Sequence, residues 1–300
     1  MHRGTPATSI SPFSTEQGPR LYDRCVPTRS RPGPTPRKAL GQHFLRDSGV
    51  LADIVAAVKV PTGGVIVEIG AGTGQLTGPL LATGNEVIAV EIEPRLVRFL
   101  RETFPGYSTL SVTMADARLV DYARVVPRGR PFVAVGNLPY FAASPIIRRL
   151  LEGALQPESA VVMVQREVAR EIAAPSGKSS LLALGVQVYA EPEVLFDVPP
   201  EAFDPPPAVY SSVVRLRVRP MPLVPRVEIP GFFDFVSRAF RNPRKQLHNA
   251  LTRETGLSAA EAERSLRLAD VDGARRAETL TIDEWRALIA ASGAARLGET

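Results

Sequence analysis

The sequence predicts an α/β fold built on a mostly parallel sheet, followed by a smaller all-helical segment. Three observations point there. Short aliphatic and β-branched runs at 65–69, 87–90, 133–136 and 160–164 are almost free of polar residues, as strands buried on both faces are, and helical periods separate them. Glycines, acids or amides follow directly on these runs, and open α/β sheets bind ligands at strand carboxyl ends. Beyond about residue 220 the patterns turn amphipathic and helical only.

Composition narrows the class. Three hundred residues, 44% of them hydrophobic, supply a large core. No apolar run approaches the roughly 20 residues of a membrane helix, and the N-terminus lacks the apolar centre of a secretory signal, so a cytoplasmic protein without a membrane partner is expected. Cys25 is the only cysteine, and His2, His43 and His248 are scattered, so neither an intrachain disulfide nor a metal site is expected. A net charge of +5 mildly favours a polyanionic partner.

Taken in order, residues 1–36 have no hydrophobic period and are rich in Pro, Ser, Thr, Gly and Arg, which predicts a disordered basic arm. Arg3, Arg20, Arg24, Arg29 and Arg31 face only Glu16 and Asp23 there. RKALGQHFL (37–45) follows, and Asp47 or Ser48 is placed to cap a helix carrying Val50, Leu51, Ile54, Val55 and Val58 on one face. The run 65–69 enters Gly70-Ala71-Gly72-Thr73-Gly74 and a helix through Leu76, Leu80 and Leu81. Alternate glycines let the backbone turn tightly and approach a ligand. The run 87–90 ends at Glu91, about 20 residues past the glycines, where a carboxylate can accept from a ribose diol. Such an arrangement serves a dinucleotide or S-adenosylmethionine, and Glu-x-Gly-x-Gly-x-Gly favours the methyl donor, which has no pyrophosphate to cradle. A third strand is expected at 108–112, with Asp116 beyond it as a candidate acceptor for an adenine amino group.

The run 133–136 stops at Asn137-Leu138-Pro139-Tyr140. Pro139 stiffens the turn and biases Leu138 to an extended conformation. The Asn137 side-chain oxygen and a fixed main-chain carbonyl provide two acceptors for an exocyclic amine, and Tyr140 a flat face for the ring that carries it. The tetrapeptide fits the Asn/Asp-Pro-Pro-Tyr-type signature of amino-methyltransferases acting on nucleic-acid bases. Farther on, a helix is expected at 145–151, a fifth strand at 160–164, helices at 166–173 and 181–189, and β runs at 194–198 and 209–218. Between these last two lies a rigid proline-rich loop that would present Phe203. Proline density marks a linker at 220–230. Amphipathic helices follow at 232–240, 245–252, 259–268 and 282–289, with Arg241, Arg244, Lys245 and Arg253 as a basic cluster suited to phosphate contact.

RKALGQHFL, VEIGAGTG, VEIE, ADA, GNLPY, FDVPPEAFDPPPAVYSSVVRL and RKQLHNAL, in this order between about 37 and 288, resemble the ribosomal RNA adenine dimethyltransferase family, and within it the small-subunit (16S) branch. The resemblance implies a Rossmann-like S-adenosylmethionine-dependent methyltransferase domain over 37–220 and a helical RNA-binding domain over 221–300. It implies a monomer that uses S-adenosyl-L-methionine and acts on adenines in the terminal hairpin of 16S rRNA within an immature small ribosomal subunit. By motif matching, His43, Leu45, Gly70, Glu91, Asp116 and Asn137 would hold the cofactor, and Asn137, Leu138, Pro139, Tyr140 and Phe203 would form the catalytic site, with the target adenine between Tyr140 and Phe203. Phe141-Ala142-Ala143 stands where Asn-Ile-Ser/Ala is commoner, and the small Ala142 and Ala143 would leave room for a second methyl. Three alternatives differ in chemistry. An erythromycin-resistance-type 23S methyltransferase shares the tetrapeptide but not the proline-rich loop. A noncatalytic RNA-binding assembly or transcription factor would not need Glu91, Asp116 and Asn137. An NAD dehydrogenase is disfavoured by the glycine spacing.

Overall fold

The computed structural model describes residues 34–35, 42–175 and 177–293, so the expected basic arm lies almost wholly outside the described residues. A short strand β1 (Phe44–Leu45) leads into α1 (Ser48–Ala57), whose N-cap is Asp47, its carboxylate accepting from the Val50 N–H at 2.9 Å. Then come β2 (Val65–Ile69), α2 (Thr77–Ala82), β3 (Val87–Glu91), α3 (Pro94–Thr103), β4 (Leu110–Met114), α4 (Tyr122–Val125), β5 (Phe132–Asn137), α5 (Ala143–Glu152), β6 (Ser159–Gln165) and α6 (Arg166–Ile172). They are followed by α7 (Leu181–Gln187), β7 (Ala190–Val198), β8 (Phe203–Asp204) and β9 (Ser211–Val218).

Seven strands form one sheet in the order β4-β3-β2-β5-β6-β9-β7, parallel through β6 and antiparallel at β9. The chain moves outward from β2 through β3 to β4, then returns to the other side of β2 for β5 and β6. The direction of winding therefore reverses between β2 and β5, and open α/β sheets leave a crevice beyond the strand ends at such a point. Strand β9 starts beside the carboxyl end of β6, with Ser211 opposite Gln165, and β7 ends opposite the same Ser211. The proline-rich loop between them is thereby brought to the same edge.

Alternation along the strands divides the core into two layers. Val65, Val67, Ile69, Ile88 and Val90 belong to one buried cluster; Ile66, Val87, Ala89, Val133 and Val135 belong to the other. The first cluster continues without a break into Phe232, Phe235, Leu247, Leu251, Trp285 and Leu288 of the C-terminal helices α8 (Ile229–Ala239), α9 (Leu247–Glu254), α10 (Ala259–Leu268) and α11 (Ile282–Ser292). Reciprocal capping boxes, Ser258 with Glu261 and Thr281 with Glu284, start α10 and α11.

Several segments differ from expectation, β7 for instance beginning at Ala190 rather than residue 194, and two of them have causes in the neighbouring loops. The third strand begins at Leu110 rather than residue 108, because the chain leaving α3 turns through Gly106 (φ 80°) and the Tyr107 carbonyl accepts the Leu110 N–H before pairing with β3 begins. The proline-rich loop contains β8, which pairs antiparallel with β1: Leu45 opposes Phe203 and Phe44 opposes Asp204. The Ala202 carbonyl adds bonds from the Arg46 and Asp47 N–H groups, so the segment entering the fold is fastened to a loop some 160 residues later.

Candidate active site

A cavity of about 240 Å³ opens at the switch point, lined by the ends of β2, β3 and β5 and by the segment before β1. It brings together His43, Gly70, Glu91, Asp116, Asn137, Leu138, Pro139 and Tyr140. Gly70 has φ +70°, and a Cβ there would sit 3.7 Å from the Asn137 carbonyl, between two of the lining segments. At Gly136 a Cβ would collide with the Ile69 carbonyl, so β2 and β5 approach closely only because that position is bare.

On the β2–β3 side, Glu91 is 6% exposed and is fixed by main-chain donors. One oxygen accepts from the Gly72 N–H, the other from the Ile92 and Glu93 N–H groups, all at 2.9 Å. A carboxylate has about four acceptor positions, so capacity for a ribose hydroxyl remains. Beneath the glycine turn, Glu68 is buried and accepts from the Thr77 hydroxyl at 2.6 Å. Burial, only partly offset by that bond, and the nearby Glu91 charge push its carboxyl from its ordinary 4.5 up to about 8, so it is protonated at neutral pH. Asp116 carries a bidentate pair with Arg118, at 3.0 and 2.6 Å, which holds its carboxyl below the usual carboxylate range. One side of the expected adenine acceptor is therefore covered by an arginine two residues on.

On the β5 side, long-range contacts set each group. The Asn137 Nδ2 donates to the His43 carbonyl at 3.0 Å, which leaves Oδ1 as the acceptor for a ligand. His43 Nδ1 hydrogen-bonds the Pro205 carbonyl at 2.8 Å. A carbonyl can only accept, so Nδ1 carries the proton, and the His43 ring stacks on Tyr140 with centroids 5.8 Å apart and planes 24° from parallel. The Tyr140 hydroxyl meets that of fully buried Ser211 at 2.8 Å. Burial raises the Tyr140 phenol above its ordinary range, with the Ser211 bond opposing it, so the ring is a neutral face.

Two expected site residues stand elsewhere. Phe203 is 4% exposed and packed in the second core cluster, opposite Leu45; it does not line the cavity, because pairing of β8 with β1 turns it inward. Among the described residues, the ring stacked on Tyr140 is that of His43. Leu45 is likewise buried and lines a smaller recess beside Gly70 rather than the main cavity. Of the two small residues after Tyr140 and Phe141, Ala142 lines the cavity, while Ala143 lies in the core beneath it. The sequence reading gave no role to Ile92, Arg118 or Ser211, and noted Phe141 only as part of the departure after the tetrapeptide. Ile92 lies within VEIE, Arg118 directly follows ADA and Phe141 directly follows GNLPY; Ser211 lies within the proline-rich motif, but nothing local links it to Tyr140, 71 positions away. In the basic cluster, Arg241 pairs with Glu254 at 3.5 Å, while Arg244, Lys245 and Arg253 are exposed.

The residues present fit S-adenosylmethionine: a bare glycine turn, a carboxylate fixed at the end of β3 and a second carboxylate past β4 surround one largely apolar cavity. Among the described residues, no helix is long and apolar enough to cross a membrane.

Over residues 34–290 the chain matches the ribosomal RNA adenine dimethylase family. It is 40% identical over 252 residues to Ribosomal RNA small subunit methyltransferase A of Dehalococcoides mccartyi strain CBDB1, covering 84% of this chain and 87% of that one. To the protein of the same name from Desulfitobacterium hafniense strain Y51 it is 42% identical over 258 residues, covering 85% and 92%. Among solved structures it is similar to the 23S rRNA methyltransferase ErmE, at 28% identity and a TM-score of 0.65 over 83% of this chain and 99% of that one. A dimethyladenosine transferase from Plasmodium falciparum, at 24% identity and a TM-score of 0.68, covers 84% and 98%, a likeness of fold.

Proposed function

Because the chain belongs to the ribosomal RNA adenine dimethylase family, we propose that it dimethylates N6 of two adjacent adenines in the 3'-terminal hairpin of 16S rRNA, within an immature small ribosomal subunit, using S-adenosyl-L-methionine. The observation that carries this reading is the meeting of the Asn137–Tyr140 turn and the Gly70–Glu91 turn in one cavity at the point where the winding reverses. The relatives at 40% and 42% identity carry the small-subunit name, whereas the 23S methyltransferase structure stands at 28%, which favours the small-subunit substrate.

When bound, the cofactor supplies an electrophilic sulfonium methyl. The protein's own work is to bring an amine to it. An adenine inside a helix is out of reach, so it must leave its stack, at an unstacking cost of a few kcal/mol. The free face of Tyr140, whose other face rests on His43 and whose hydroxyl is tied to Ser211, offsets part of that cost by stacking. The N6 lone pair is delocalised into the ring and is a poor nucleophile. Asn137 Oδ1 and the Leu138 carbonyl, accepting from the two N6 hydrogens, favour the pyramidal nitrogen that gains positive charge over the planar ground state. No general base is needed before attack, since the product nitrogen loses its proton readily. Ala142 leaves space for the first methyl while the second is added. The C-terminal helices, through Arg244, Lys245 and Arg253, contact rRNA phosphates, and the protein works as a cytoplasmic monomer without a metal.

The test is to incubate the full chain with labelled S-adenosylmethionine and either undermethylated small subunits or large-subunit rRNA, then map the modified bases. Dimethyladenosine on small-subunit rRNA is the expected result, weakened by added salt. Label on large-subunit adenines alone would overturn the assignment.

A further inference from the structure

Phe141 is 62% exposed and lines the mouth of the cavity directly after Tyr140. A lone exposed aromatic is ordinary, but this one stands on a fixed turn at the cavity mouth. The turn that carries it is pinned on both sides. Leu138 is 1% exposed and its N–H donates to the Met163 carbonyl at 3.1 Å; Ala142 is 3% exposed and its N–H donates to the Pro139 carbonyl at 2.9 Å. Among the described residues, Phe141 has no ring partner, while Tyr140 is stacked on His43. The other large exposed apolar residue lining the cavity is Ile92, past the end of β3 and two strands away across the sheet, about 10 Å at the usual strand spacing. The rim thus has one aliphatic lip on the Glu91 side and one aromatic lip on the Asn137 side.

Resting on the function proposed above, we propose that Phe141 is the stacking platform for the base next to the adenine in the pocket, and so helps determine that a pair of adjacent bases is modified. Extruding one nucleotide strips its neighbour of a stacking face. Phe141 directly follows Tyr140 and both line the cavity, so the ring at 141 is placed to meet the nucleotide next to a base held on Tyr140. Phe offers a π-face and no hydrogen-bonding group. It therefore suits a neighbour whose edge must stay free to enter the pocket in its turn. After the first adenine is modified, the second is already held at the entrance.

The test uses the full chain, labelled S-adenosylmethionine and undermethylated small subunits, with Phe141→Ala, Phe141→Leu and Phe141→Trp. Stacking predicts that Ala and Leu lose roughly five- to a hundredfold in kcat/KM for the subunit and accumulate rRNA modified on one adenine only, while Trp stays within about twofold of the parent. Affinity for S-adenosylmethionine by calorimetry stays the same in all three, which also establishes that the exposed substitution leaves the fold intact. Parental activity in Phe141→Ala, or equal rescue by Leu and Trp, overturns the inference while leaving the methyltransferase reading in place. A parent protein that binds the cofactor but modifies no rRNA overturns that reading, and this inference with it.

Discussion

The two halves of the cavity are built by different means. On the β2–β3 side the groups that meet are close in sequence: the Gly72 N–H reaches Glu91 across 19 positions, Thr77 reaches Glu68 across 9, and Arg118 covers Asp116 across 2. On the β5 side the corresponding separations are 94 for Asn137 with His43, 71 for Tyr140 with Ser211 and 162 for His43 with Pro205. The first half is built of short-range contacts, main-chain N–H groups on Glu91 and nearby side chains on Glu68 and Asp116. The second is an assembly in which the entering segment is tied to both the tetrapeptide and the proline-rich loop, and the tetrapeptide to the start of β9. A local turn survives as a motif wherever it occurs; an assembly exists only when the whole sheet has formed.

Substitutions that separate these halves sharpen the contrast, and the largest effect is expected at Asn137. Asn137→Ala removes an acceptor that acts on developing charge and releases the His43 carbonyl, and it is expected to lower single-turnover methyl transfer by about 10²- to 10³-fold. Asn137 is also expected to hold the cofactor, so affinity measured by calorimetry should fall as well, but less than the rate does. Equal losses in both would mean that Asn137 acts through cofactor binding alone.

Glu91→Gln should reverse that pattern. An amide in place of the carboxylate turns one acceptor oxygen into a donor facing a buried N–H, so cofactor affinity is expected to fall about ten- to a hundredfold. The rate at saturating cofactor should stay near that of the parent. Ser211→Ala removes the buried hydroxyl from Tyr140, and about a fivefold loss in kcat/KM for the rRNA substrate is expected. Combined with Tyr140→Phe it should add nothing, since both remove one bond; additive losses in that double-mutant cycle would show that Ser211 acts elsewhere.

Glu68→Gln is expected to affect catalysis least and stability most visibly. The Glu68 carboxyl titrates near 4.5 when the chain is unfolded and near 8 when folded, so between those values the folded state keeps a proton that the unfolded state has released. Stability therefore falls as pH rises through that window and levels off above it. Glu68→Gln should flatten the slope, leaving the variant more stable than the parent by on the order of a few kcal/mol above about pH 8 and similar to it near pH 4.5. Urea unfolding across that range reads the difference directly, and parallel profiles would mean that Glu68 is ionised in the folded protein.

The buried runs of β2, β3, β5 and β6 were legible because strands covered on both faces must be apolar almost throughout, whatever follows them. β4 was misplaced by two residues because it is the edge strand, half exposed, and its start depends on how the chain leaves α3. Leu181 to Tyr189 read as one helix, yet it ends at Gln187 and Ala190 begins β7, since pairing with β9 outweighs local helical preference. Phe203 shows the same limit at the site. A phenylalanine in a proline-rich loop reads as presented to a ligand until a two-residue pairing with β1 turns it into the core.

By itself the sequence determined the chemistry of this protein: which strands are buried, where the glycine turn and the Glu91 carboxylate fall, and that an amide, a stiff carbonyl and an aromatic follow one another at a strand end. Those are matters of local sterics and of groups only a few bonds apart. Only the tertiary structure decided that His43 backs Tyr140, that Phe203 turns into the core, that Ser211 anchors Tyr140 and that Phe141 stands at the rim. Each depends on the order in which strands are laid into the sheet, and no window of neighbouring residues contains that order.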